Sequence, residues 1–157
     1  ARMDFVPVMK GPPVRMDARI FADAPMGLRH DLLDVPLGRR LAYDAQQDVF
    51  FVDFEGLSVR TPQDIAAIRA AVRAALAPLG RKVDAVVNYD RFSIVPELVD
   101  DYVEMVKGLM DAHYHTVTRY TANGFLRMKL GEELEKRRIP AHFYASASEA
   151  WHGLETP

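Results

Sequence analysis

The chain contains no cysteine, which removes disulfides, thiolate zinc sites and cysteine nucleophiles from consideration. It also lacks any apolar run near the roughly 20 residues needed to cross a bilayer as a helix. No charge of one sign is in excess: the formal net charge is -2 over 157 residues. Phosphate-binding surfaces show as a basic excess, so nothing points to a nucleic-acid partner. Neither GxGxxG nor GxxxxGK[ST] occurs, and no GxSxG elbow positions a serine. Ser58 and Ser93 have no acid–base partner near them in sequence. Five histidines are present, but His113 and His115 are two apart at the end of an expected helix. That is not the four-residue helical spacing of a metal pair. The residues alone therefore supply neither a catalytic constellation nor a metal site. The first residues carry no signal-peptide core. Without cysteine or a leader, a cytoplasmic location is the expectation, with no membrane partner.

What is present begins with proline. Five of the ten prolines (Pro7, Pro12, Pro13, Pro25 and Pro36) fall within the first 38 residues. Proline lacks a backbone donor and blocks regular pairing, so residues 1–38 are expected to form an extended arm with short turns. Phe5, Val6, Met9, Ile20, Phe21 and Leu28 make this arm too apolar to remain in water. It needs a surface, either of this domain or of one upstream.

From residue 39 the pattern becomes regular, and 39–157 reads as one α/β domain. Leu41 and Tyr43 alternate into a polar turn at 44–48, and "VFFVDF" returns as the second strand of a hairpin. Thr61 as cap, Pro62 at the first helical position and Asp64 in the first turn open a helix that Gly80 closes. Ile65, Ile68, Val72 and Leu76 give it an apolar stripe. "KVDAVVNY" is a strand. "PELVDDYVEMVKGLMDAHY" is a helix with Leu98, Tyr102, Val106 and Leu109 on one side. "HTVTRYT" is a strand, "GFLRMKLGEELEKRR" a helix whose charged end should be solvated, and "AHFYAS" a last strand that includes His142. "SASEAWHGL" starts a short helix with Ser146 and Glu149 at capping-box spacing. The order β-β-α-β-α-β-α-β-α implies a mostly parallel, mixed sheet with helices packed on it.

Ligands of such sheets collect beyond the carboxyl ends of the strands. Three ends carry polar groups: Asn88, Tyr89 and Asp90; Arg119, Thr121, Asn123 and Gly124; and Tyr144 with Ser146. The first seven are the candidate binding residues, and none is assigned a catalytic role. The same residues would close turns and cap helices in any α/β fold, so both readings stand at this point.

Two stretches carry a resemblance. "MDARIFADAPMGLR" (16–29), and "VNYDRFSIVPELVDDYVEMV" through "TRYTANGFLRMKLGEEL" (87–134), resemble the C-terminal part of bacterial acyl-CoA:acetate/3-ketoacid CoA-transferase-like proteins. The arm resembles the segment that leaves the transferase domain. The resemblance implies that the parent exchanges coenzyme A between carboxylic acids through a glutamyl thioester, with coenzyme A as its substrate. It implies no cofactor for this chain, the upstream transferase domain as partner, and self-association as a further expectation. In that family the nucleophilic glutamate lies in a Glu-Asn-Gly context. "DFEGLS" around Glu55 lacks it, so the role is not carried to Glu55, and the chain is expected to be a non-catalytic accessory domain. The leading hairpin and alternating order also resemble the STAS fold of anti-sigma-factor antagonists. The alternative that follows is an independent STAS-like module that binds a small anion or a protein partner. Its phosphorylatable position would fall nearest Ser93, although "NYDRFS" departs from that family's Asp-Ser-Ser-Gly type of motif.

Overall fold

The structure is a computed structural model that describes residues 37–155. The expected arm lies outside the described residues, apart from its last two positions. Leu37–Arg40 forms a 3-10 turn that leads into a hairpin of β1 (Leu41–Asp44) and β2 (Val49–Asp53). Then follow β3 (Ser58–Val59), α1 (Pro62–Leu76), β4 (Val83–Asn88), β5 (Ser93–Ile94), α2 (Val99–Ala112), β6 (Tyr114–Tyr120), α3 (Gly124–Lys136), β7 (Phe143–Tyr144) and α4 (Ala147–Glu155). The main sheet has the order β1-β2-β4-β6-β7. Only the β1–β2 pair is antiparallel, and each later neighbour is parallel. The α/β mixed sheet with four packed helices thus has the expected order. One addition has no counterpart in the sequence pattern: β3 and β5 pair in parallel as a separate two-stranded sheet.

The helices start where their chemistry directs. Thr61 Oγ1 accepts from the Asp64 amide at 3.2 Å, and Asp64 Oδ2 accepts from the Thr61 amide at 3.0 Å. This reciprocal box, with Pro62 at the first position, fixes the entry to α1. Gly80, at φ 65°, ends the 3-10 turn that follows α1. Asn123 caps α3 by accepting from the Leu126 amide at 3.1 Å, and Ser146 caps α4 by accepting from the Glu149 amide at 3.2 Å.

Three helices lie on one face of the sheet. Phe50, Val52, Ala85, Val87 and Val117 meet Ile68 and Val72 of α1, Tyr102 and Val106 of α2, and Leu130 and Leu134 of α3. The other face carries a smaller cluster of Val49, Phe51, Val86 and Tyr120 with Ala150 and Trp151 of α4. The β4–β6 register is irregular between Val83 and Ala85. Tyr114 and Val117 therefore both join the three-helix side, although they are three residues apart. Two expectations are corrected. The last strand is only Phe143–Tyr144, and His142 precedes it, exposed and at φ 41°. The charged end of α3 is not simply solvated: Arg137 reaches Asp100 and Glu104 of α2 at 3.2 and 2.8 Å and ties the two helices together.

Candidate functional site

The carboxyl ends of β2, β4, β6 and β7 share one end of the sheet, so their exit loops meet. Asn88, the last residue of β4, is buried at 7% exposure. Its Nδ2 donates to Asp53 Oδ1 at 3.1 Å and to Glu55 Oε1 at 3.2 Å, and its Oδ1 accepts from the Asp90 amide at 2.8 Å. One amide side chain thereby binds the β2 exit to the β4 exit. Glu55 also pairs with Arg91. Arg91 sits at φ 57°, a left-handed backbone that costs a non-glycine residue about 1–2 kcal/mol. Gly56 supplies the matching turn after β2, at φ 74°, and its amide donates to the Asp90 carbonyl at 3.0 Å. From the preceding 3-10 turn, Arg40 donates to the carbonyls of Asp53 and Glu55 at 3.1 and 3.0 Å.

Asp90 makes the next connection. Its Oδ1 accepts from the Ala122 amide at 2.7 Å, joining the β4 exit to the β6 exit. Thr121 is fully buried, and its Oγ1 accepts from the Asn123 amide at 3.1 Å. Arg127 folds back to donate to the Thr121 carbonyl at 2.7 Å. Asn88, Asp90, Thr121, Asn123 and Gly124 are thus gathered at one end, as the strand-end reasoning expects.

Tyr89 and Arg119 are not presented there. Side chains alternate along a strand, and both belong to the positions that face the three helices. Tyr89 is 2% exposed, and its hydroxyl lies 2.7 Å from that of Tyr102. Arg119 is 1% exposed and donates to the Pro140 and Ala141 carbonyls at 3.3 and 2.9 Å. With Tyr89, Tyr102 and Tyr114 it borders an interior cavity of about 20 Å³ that is otherwise walled by apolar side chains. Burial lowers the pKa of Arg119 and raises those of all three tyrosines. The guanidinium bonds to main-chain carbonyls and approaches the Met110 sulfur at 4.0 Å.

Sequence reasoning also missed Asp53, Glu55, Arg91 and Arg127 as members of the strand-end cluster. Asp53 ends β2 and Glu55 lies two residues beyond it, so reading the exit of β2 beside that of β4 would have found them. Chemically, the cluster is a lattice of amide, carboxylate and guanidinium groups that mostly satisfy one another. Nearby, the Ser58 and Ser93 hydroxyls lie 2.9 Å apart across the β3–β5 pair. Among the described residues, no group of three His, Cys, Asp or Glu side chains is placed to hold a metal ion, and no helix is long and apolar enough to cross a membrane. Compared with protein-family models, with curated proteins and with solved structures, the chain matches none.

Proposed function

We propose that this chain is a non-catalytic C-terminal domain of a cytoplasmic acyl-CoA:acetate/3-ketoacid CoA-transferase and that it acts in assembly, regulation or ligand recognition. The observation that carries the non-catalytic part of this reading is how the strand-end groups are used. Asn88 is committed to Asp53, Glu55 and the Asp90 amide, Asp90 to the Ala122 amide, and Thr121 and Asn123 to the start of α3. A general acid–base pair needs a titratable side chain directed at a substrate, and these side chains are directed at the backbone and at one another. The transferase part rests on the resemblance at 16–29 and 87–134. The strand-end loops 88–93 and 120–124 lie within the second of those stretches.

The test is the transfer of coenzyme A from an acyl-CoA to acetate by the full polypeptide, with and without residues 39–157. The expected result is that transfer chemistry persists without the domain, while oligomeric state or the KM for the acceptor acid changes. Turnover of a thioester by the isolated chain, or a truncation that alters neither assembly nor kinetics, removes the reading.

A further inference from the structure

Strand β6 delivers a cation to the interior of this fold. Arg119 has the strand parity of Val117 and is 1% exposed. It borders the cavity of about 20 Å³ that lies between the sheet and helices α1 and α2. Every side chain lining that cavity is buried. The room suits about one species the size of a water molecule.

The polar groups at this cavity are rich in donors and poor in acceptors. A guanidinium carries five N–H groups and accepts nothing. Nη1 of Arg119 donates to the Pro140 and Ala141 carbonyls, whereas Nη2 meets the Met110 sulfur at 4.0 Å, with the Tyr89 hydroxyl as a further neighbour. No carboxylate of the described residues pairs with Arg119. The Tyr89 and Tyr102 hydroxyls, 2.7 Å apart, use one proton between them and leave the other to donate elsewhere. The Tyr114 hydroxyl has no hydrogen-bond partner among the described residues. Burial raises the pKa of each tyrosine, so all three hydroxyls remain protonated donors, and the Arg119 charge acts on each of them. A charge taken out of water needs a compensating partner. Two carbonyl dipoles offset part of this one, and no side chain supplies a full negative charge. The remaining walls, among them Val52, Ile68, Val87 and Leu109, are apolar. Such a lining favours a weakly hydrated anion over a strongly hydrated one, because less solvation is lost on entry.

We infer that this cavity is a binding site for one halide-sized monovalent anion, held by the Arg119 guanidinium and the tyrosine hydroxyls around it. The anion is the interior counter-ion of Arg119. The site stands apart from the strand-end cluster and does not depend on the accessory-domain reading.

The experiment is urea unfolding of the 157-residue chain in sodium bromide, with sodium gluconate, an anion too large for the cavity, holding the ionic strength constant. One site on the folded state alone lowers the unfolding equilibrium constant about tenfold for each tenfold rise in bromide above its Kd. Tyr114→Phe removes a donor without stranding a partner and should raise the bromide concentration required about tenfold. Arg119→Met should abolish the bromide dependence, and Arg81→Ala, at the surface, should leave it as it is. A bromide-soaked crystal should show an anomalous peak in contact with Arg119. Equal midpoints in bromide and gluconate overturn the inference. So does a dependence that Tyr114→Phe and Arg119→Met leave unaltered, or a peak confined to the surface, which is an adventitious ion only. If Arg119→Met does not fold, the Tyr114→Phe titration and the anomalous peak decide the matter.

Discussion

Two arginines meet tyrosines in this fold, with opposite consequences. Arg81 lies at the surface, where it pairs with Asp48 at 2.8 Å and donates to the Tyr43 hydroxyl at 2.9 Å. The Arg81 and Asp48 side chains remain about half exposed, at 51% and 49%. Arg119 lies in the interior among three tyrosines, and its bonds go to two carbonyls and, at 4.0 Å, to the Met110 sulfur. Arg81 has the better partner by charge. Arg119 has the greater structural weight, because water can replace the partners of the first and not those of the second. Here depth counts for more than complementarity of charge.

The sharpest way to break that comparison is Arg119→Ala. It removes a fully buried side chain and strands the Pro140 and Ala141 carbonyls, so a loss of about 3–5 kcal/mol is expected in denaturant unfolding. A loss below about 1 kcal/mol would mean that the interior arginine is no more structural than the exterior one. Asn88→Ala should follow, at about 1–3 kcal/mol, since three hydrogen bonds end on that buried amide. An unmoved urea midpoint would show that the strand-end lattice does not hold the loops. Tyr89→Phe leaves the Tyr102 hydroxyl without its partner and should cost about 1–2 kcal/mol; equal stability of the two proteins would contradict it.

Arg81→Ala should give the smallest shift, at the edge of detection in a thermal melt. Its effect should depend on pH in a defined direction. Hydrogen bonds from Arg81 and then Tyr43 hold the Asp48 carboxyl below its ordinary pKa. A depressed carboxyl adds stability above its unfolded-state pKa and loses it as the pH falls through the folded-state value. Wild type and Arg81→Ala should therefore converge on acidification, while the Arg119→Ala deficit persists. A gap between wild type and Arg81→Ala that widens in acid would refute the pairing.

Much of this architecture is legible in the residues. Thr61, Pro62 and Asp64 mark the start of α1 by local bonds alone, and the apolar run through Val83 to Val87 gives β4 without any partner in view. Legibility ends where the partners are distant in sequence. Asn88 is bound by Asp53 and Glu55, 35 and 33 residues away, and no local pattern connects them. The β3 and β5 strands have two residues each, too short for any periodicity to register. Arg119 misleads for a different reason: its charge suggests a surface position, but it shares strand parity with Val117, and the parity prevailed. Tyr89 shares that fate with Val87.

The small β3–β5 pair also bears on how this fold can change its length. Each of the two strands leads into a helix: β3 reaches α1 through Arg60 and Thr61, and β5 reaches α2 through Val95 and a short 3-10 turn. The Ser93 amide donates to the Leu57 carbonyl at 2.9 Å, and the Val95 amide to the Val59 carbonyl at 3.1 Å. The two crossovers are stitched side by side before their helices begin. A residue added to one would slip it against the other and tilt two helices at once, so neither connection is free to grow alone. Lengthening should be tolerated elsewhere, as in the polar hairpin turn at 44–48, where a single short connection absorbs the change.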